Sequence, residues 1–428
     1  MLPASNVSAL RPGSFRVSLT LARGLPMGNP NQATQWPIVW AAFGAGVVAA
    51  SHIGKLPPAL SDIRLELDAG LVMGGWIASM ISIVGFAAGL AAGAIADRIG
   101  VGRVIVFGLL ALATGSFVGT FAVTGEMMLA ARFIESVGFT SSTVTGAAII
   151  SRVTSDKDRR WALGVWAAYM PIGFAGMMIL SAFTIHALGW RTVWGVSCAI
   201  SVLWAIVVLR VTGDWRRSQK RATGGTSILG NIRMSLASIG GILVAGSYAV
   251  YAAQHIAMMS WLPTYMADVY RASVIVAAAV PALVLIFNDG GNYAAAWAMG
   301  RGYPIWLLLA IGAGGMALME IGMYSSATPD ALKLLFALVF GIAGGLIPAS
   351  ALAAAPVYAP TPAQIGTMSG LMVMATNAGQ LFGPPALAAA RERAGSWEGT
   401  LWLVLSLALV GLTLAILSRP MERRAGRV

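Results

Sequence analysis

The chain has 428 residues, 57% of them hydrophobic and 10% charged, with a mean hydropathy of +0.77. Soluble domains carry roughly 25% charged residues, so a soluble enzyme or nucleic-acid-binding module is excluded and a polytopic membrane protein is implied. The +12 net charge sits in short polar breaks between apolar runs, where it sets membrane orientation.

Residues 1–35 contain Arg11, Arg16 and Arg23, several Pro and Gly breaks and no apolar core of signal-peptide length. They read as an N-terminal cytoplasmic tail, with residues 1–26 either disordered or an over-extended start. Apolar windows of spanning length then run over 36–60, 70–95, 103–123, 127–152, 161–186 and 191–210. A basic, Gly/Thr-containing break at 212–232 interrupts the hydropathy, and six further windows follow at 235–264, 272–298, 303–324, 331–357, 363–390 and 397–418. About twelve transmembrane helices in two six-helix halves are expected: a bundle over 36–211, a cytoplasmic linker over 212–232, a second bundle over 233–418 and a basic tail over 419–428. Most Lys and Arg residues then share one side, which places both termini in the cytoplasm, while Lys55, Arg64 and Arg191 are counted on the other side. The lone cysteine, Cys198, cannot form an internal disulfide.

Two patterns speak to organisation. Gly164 and Gly173 of the fifth window match Gly370 and Gly379 of the eleventh at one common spacing, which signals a duplicated six-helix unit. Between the second and third windows, Gly85, Gly89 and Gly93 share one helix face, suited to close helix approach, and lead into Asp97, Arg98, Gly100 and Arg103. The pattern Gly93-x-x-x-Asp97-Arg98-x-Gly100-x-x-Arg103 resembles the signature loop between the second and third helices of the major facilitator superfamily of secondary transporters. Arg132-Phe-Ile-Glu135-Ser-Val-Gly138 and Gly189-Trp190-Arg191 carry the same resemblance, and in the second half the loop has decayed to a stretch keeping Arg301 without the acid. Trp261-Leu-Pro263-Thr264-Tyr265 and Asn377-Ala-Gly379-Gln380-Leu-Phe-Gly383-Pro384-Pro385 weakly resemble the branch of cyanate-type small-solute permeases. The resemblance implies that spans one, four, seven and ten line a transport route, and that the charged loop acts as a cytoplasmic gate.

No enzyme arrangement is present: the three histidines are far apart and no phosphate-binding Gly-rich loop occurs. Three acids fall within spans, where an unpaired charge costs a few kcal/mol. Glu135 has Arg132 three residues earlier on the same helix face, a buried ion pair that is either structural or coupled to cavity opening. Glu320 has no evident partner and reads as peripheral. Asp289, between Asn288 and Gly290-Gly291-Asn292, sits where polar residues and glycines are expected to loosen the helix; it is either the coupling proton carrier or a tie between helix ends. Gln254 and His255 precede Met258 and Met259, which makes either a polar cavity wall or a soft metal site. Asn377 and Gln380, near the helix-disturbing Pro384-Pro385, are cavity or bridging candidates.

The reading is a secondary transporter of a small solute by alternating access, proton-coupled, with a small anion favoured. Transport of iron or another transition metal on the same fold, through His255, Met258 and Met259, is one alternative; a non-transporting scaffold or sensor is the other. No cofactor is expected. The expected partners are the solute or ion, protons and lipid, with no nucleic acid, a monomeric functional unit and a bacterial-type inner membrane as its place.

Overall fold

The computed structural model describes residues 33–213, 236–325, 327–361 and 364–424, together with Trp215 and Arg233. Most of the linker expected at 212–232 and the first 32 residues, where sequence reading placed connectors and tails, lie outside this set.

The chain folds into helices α1 (Trp36–Gly54), α2 (Leu56–Glu66), α3 (Leu71–Ser79), α4 (Ile83–Ile99), α5 (Val101–Thr120), α6 (Gly125–Val153), α7 (Asp156–Ala167), α8 (Tyr169–Leu188) and α9 (Trp190–Val211) in its first part. The second part holds α10 (Ile239–Tyr270), α11 (Val274–Gly300), α12 (Ile305–Tyr324), α13 (Asp330–Tyr358), α14 (Ile365–Ala394) and α15 (Leu401–Arg424). A short 3-10 turn, Met80–Ser82, joins α3 to α4. Among the described residues eleven stretches are long and apolar enough to cross a membrane, α3–α4 and α7–α8 each counting as one. The twelfth expected span is α14, 30 residues long; Asn377, Gln380 and the Arg391-Glu392-Arg393 run lower its hydropathy. Only helices satisfy every backbone group in lipid without closing a barrel.

Local chemistry fixes the helix ends. Thr124, Ser155, Ser238 and Ser273 cap α6, α7, α10 and α11, each side-chain oxygen accepting a first-turn N–H. Gly100, at φ +103°, makes the sharp passage from α4 to α5 that an L side chain resists. Glu422 of α15 accepts the Ile305 and Trp306 N–H groups at 2.8 and 2.9 Å and so caps α12; α15 therefore continues through Arg424, past the expected boundary at 418.

Three expectations are corrected. The first span ends at Gly54 and not near 60, and 56–66 is a separate helix opened by Pro57 and Pro58, which takes in the end of the expected window and part of the break after it. Lys55, counted on the outer side, is 0% exposed inside the first bundle. The helix α11 is not loosened at Asn288–Asn292 but runs unbroken to Gly300; Gly291 instead lets α13 approach, a Cβ there meeting the Gly345 Cα at 2.9 Å.

Packing shows the duplication. Gly173 of α8 lies against the α1 backbone at Val47 and Ser51, and Gly379 of α14 lies against the α10 backbone at Ala249 and Ala253. The halves meet along two seams, α3–α4 on α14 and α8 on α11. The first seam is graded. A Cβ on Gly75 would meet the Pro385 Cα at 2.6 Å, one on Gly85 the Asn377 amide carbon at 2.6 Å, one on Gly89 the Met374 backbone at 3.8 Å, and one on Gly93 nothing within 4 Å. The halves are closed at the Gly75 end and spread toward the charged loop.

Candidate functional site

Inside the first half, α1, α5, α6 and α9 meet around one carboxylate. Glu135 Oε1 accepts from Lys55 Nζ at 2.5 Å and from Ser116 Oγ at 2.7 Å, while Oε2 accepts from Arg132 at 2.6 Å. Arg132 also donates to the His52 and Ile77 carbonyls at 2.8 and 3.1 Å. His52 reaches Ser201 Oγ through Nε2 at 2.9 Å, and the Lys55 ammonium stands 4.5 Å over the Trp194 ring. All of Lys55, His52, Arg132 and Glu135 are fully buried. The pairing read from i,i+3 spacing is thus one edge of a larger cluster, in which two cations face one carboxylate. The contact of Lys55 with Glu135 was missed because Lys55 ends an apolar run beside two prolines, the usual look of an interfacial lysine. The nearby half-buried Cys198 takes no part in a disulfide.

The second half is built differently. On α10, Tyr248, Tyr251 and His255 form a ladder of near-parallel rings with centroids 6.1 and 5.3 Å apart. Asn288 of α11 donates to the Tyr251 hydroxyl at 3.0 Å and to the Gly341 carbonyl at 3.1 Å, so it anchors the ladder. Tyr248 lies within electrostatic reach of Tyr169 of α8, and the Tyr169 ring packs at a 30° tilt on Trp166, centroids 4.4 Å apart. Tyr169, Trp166 and Tyr248 keep part of their surface accessible deep in the bundle. Gln254 Oε1 and His255 Nδ1, on residues only 4% and 6% exposed, have no hydrogen-bond partner among the described residues. Polar atoms so buried are normally satisfied. The tyrosines recur on the helix face of His255, a periodic signal that the sequence did contain.

The remaining candidates scatter. Gln380 accepts from Ser82 across the seam at 2.9 Å and lines a narrow crevice between the halves with Ile53, Phe174, Met259 and Ser260. Asn377 bonds its own helix at the Val373 carbonyl, 2.8 Å. Asp289 is half-buried and bonded by Asn292; among the described residues no Lys or Arg pairs with it. Met258 and Met259 open onto different cavities, so with His255 they do not converge on one point, and no group of three or more His, Cys, Asp or Glu placed to hold a metal occurs among the described residues. In the charged loop, Arg98 is exposed and Arg103 reaches the Ile99 carbonyl at 3.5 Å; the Asp97 backbone belongs to α4, and its side chain is outside the described set. Arg301 stacks on Trp297 at 3.8 Å.

Residues 40–384 match the family model of the Major Facilitator Superfamily. The chain belongs to the Major Facilitator Superfamily. Among relatives of this superfamily member, the "Putative niacin/nicotinamide transporter NiaP" of Bacillus subtilis is 25% identical over 377 residues, 84% of this chain and 89% of that protein. The 4-hydroxybenzoate transporter PcaK of Pseudomonas putida is 25% identical over 320 residues, 64% of this chain and 68% of that protein. A bacterial homolog of the human lysosomal transporter Spinster, solved in an inward-facing, unoccupied conformation, shares the fold at a TM-score of 0.78 and 13% identity, over 91% of this chain and 98% of that one. The superfamily member is a multi-pass membrane transporter of small solutes, and not an enzyme.

Proposed function

We propose that the protein carries a small planar aromatic acid, of the size of nicotinate or 4-hydroxybenzoate, by alternating access driven by protons. The observation that carries this reading is the Tyr248–Tyr251–His255 ladder with the unpartnered Gln254 Oε1 and His255 Nδ1 beside it. Flat rings offer stacking area, and the two polar atoms offer an edge to hydrogen-bond a ring nitrogen, hydroxyl or carboxyl group. The first-half cluster, with its excess of cations, gives the interior a positive field that favours an anion. The transporters of niacin or nicotinamide and of 4-hydroxybenzoate among the relatives support the same class. The graded seam provides the motion, with the open Gly93 end facing the cytoplasm of a bacterial-type inner membrane together with both termini, and the monomer acting alone. Uptake of labelled nicotinate and 4-hydroxybenzoate into proteoliposomes tests it: benzoate is expected to compete at least tenfold better than cyclohexanecarboxylate, which has the same size without a flat ring. Equal competition by the two acids, or none, defeats the aromatic reading.

Asp289 is proposed as the coupling acid, because it is a half-buried span carboxylate with no cation and sits one residue from the ladder's anchor Asn288. Asp289→Asn should keep exchange of labelled for unlabelled solute yet lose accumulation under an imposed pH gradient. Retained accumulation would assign Asp289 to structure.

A further inference from the structure

The fifth span is broken at Ala168. Between α7 and α8 the Ala168 N–H bonds the Val165 carbonyl at 3.0 Å, three residues back where an α-helix bonds four back, and the tightened turn brings Trp166 and Tyr169 together on one face, centroids 4.4 Å apart. The indole sits in a recess left by two missing side chains. A Cβ on Gly46 of α1 would meet the Trp166 ring at 2.7 Å and Tyr169 Cγ at 3.0 Å, and one on Gly146 of α6 would overlap the same indole. Since α1 and α6 are spans one and four, a ring from the fifth span rests on glycines of both. Protein interiors are close-packed, so the indole has no room to retreat on that side.

The duplication shows what the recess replaces. Gly173 lies against Val47 and Ser51 as Gly379 lies against Ala249 and Ala253. That packing sets Gly46 of α1 in the place of Tyr248 of α10, and Trp166 and Tyr169 in the places of Met372 and Ala375 of α14. In the second half the aromatic surface stands on α10 itself; in the first, α1 carries a glycine there and the ring comes from the neighbouring span. Tyr169 and Tyr248 lie within electrostatic reach of each other across the two halves, and Trp166, Tyr169 and Tyr248 are all partly accessible. Aromatic surface is thus offered from both halves, at matching places in the two repeats.

We propose that Trp166 and Tyr169 form the fixed wall of a slot whose other wall is the Tyr248 ladder, and that the glycine-seated indole restricts the carried acid to a single ring. The inference rests on the aromatic-acid reading above and adds to it the residues that set ring size. A flat solute gains most when ring surface meets it on both sides, and a wall that cannot retreat rejects a larger ring by overpacking. The selectivity filter is therefore the pair of glycines as much as the indole: Gly46 and Gly146 fix how far Trp166 stands forward, without touching the solute themselves.

The test measures equilibrium binding of labelled 4-hydroxybenzoate to the purified full-length chain in nanodiscs, with benzoate and the fused two-ring acid 2-naphthoate as competitors. In the native chain 2-naphthoate is expected to compete about tenfold less well than benzoate, a discrimination within reach of a tight apolar pocket. Trp166→Leu should bring the two acids to equal strength and Trp166→Phe should fall between, a change of preference that no loss of folding produces. Gly146→Ala, which touches the indole from behind, should weaken benzoate by pressing the ring into the slot, and Trp166→Leu added to it should restore binding. Equal competition by the two acids in the native chain, an unchanged preference in both Trp166 variants, or benzoate affinity unchanged in Gly146→Ala would overturn the proposal. So would loss of all acid binding in both Trp166 variants, which would make the indole a support of the site and not its limit. Failure of the underlying reading is separate, and shows in the native chain as no binding or as equal competition by benzoate and cyclohexanecarboxylate.

Discussion

The two interiors of this duplicated molecule solve the same packing problem with opposite chemistry. In the first half, Lys55, His52, Arg132, Glu135 and Ser116 fill the core with paired charge, while Arg132 Nη2 and the neighbouring Trp194 Nε1 have no hydrogen-bond partner among the described residues. In the second, neutral rings, methionines and two acids without a cation among the described residues, Asp289 and Glu320, leave both free space and unpaired polar atoms. A buried ion cluster tolerates little displacement, because every lost contact strands a charge in low dielectric; stacked rings and thioethers can shift without such a cost. On the function proposed above, this contrast makes the first half the stiffer part and the second the part that takes the solute.

The sharpest way to break this contrast is to remove the hub. Glu135→Ala leaves Lys55 and Arg132 facing each other without a countercharge, a loss of about 3–5 kcal/mol, and is expected to collapse expression and thermal stability. Lys55→Ala and Arg132→Ala each leave a neutral pair behind and should be distinctly milder. Equal melting temperatures for the three variants would show that the cluster is not organised around Glu135. The matching change in the second half, Tyr251→Phe, removes one hydroxyl from Asn288 and should cost on the order of 1 kcal/mol.

Function should show the reverse ranking. His255→Leu and Gln254→Leu delete His255 Nδ1 and Gln254 Oε1, which bond nothing among the described residues, and beyond these only the Gln254 Nε2 bond to the Val250 carbonyl of its own helix is known to be lost, so unfolding midpoints should nearly hold while the KM for aromatic acid uptake rises about tenfold, the loss of one well-placed hydrogen bond. A stability loss as large as that of Glu135→Ala would place both groups in the scaffold instead.

The smallest expected effect lies at the rim of the first half. Glu66 accepts from the Trp190 indole and the Arg191 guanidinium, and the Trp190 bond, followed by Arg191, holds its carboxyl below the usual carboxylate range. A carboxyl whose folded value is depressed adds stability above its unfolded value and loses it as pH falls through the folded one. Because the pair is largely exposed, the effect is slight. Melting temperature should dip a little more on acidification in the native chain than in Glu66→Gln; identical pH profiles would remove Glu66 from the account.

Much of this was legible in the sequence, and the failures share a cause. Apolar windows located the spans, and the Gly93 to Arg103 pattern named the superfamily, because length and turn chemistry are local properties. Lys55 was misplaced because hydropathy cannot tell a lysine that leaves the membrane from one that turns inward to a glutamate eighty residues away. The expected loosening at Asp289 failed because Gly291 serves helix contact with α13, a use visible only once the partner helix is in place. Tyr248 and Tyr251 stood in plain helical register with His255, yet a ring ladder gains meaning only with Asn288 beneath it and Tyr169 opposite.

Under the alternating access proposed above, the graded glycine seam would act, in mechanical terms, as a lever. With Gly75 and Pro385 in backbone contact, that end serves as a fulcrum, and Gly93 lies some 27 Å along the arm at 1.5 Å per residue. A rock of about ten degrees moves the far end by roughly 5 Å over that length, enough to admit or exclude a benzene ring, while atoms at the fulcrum shift by fractions of an ångström. Glycines near the fulcrum would set the bearing, those at the tip need only clearance, and the same stripe of one residue type would thus do two mechanical jobs along a single span.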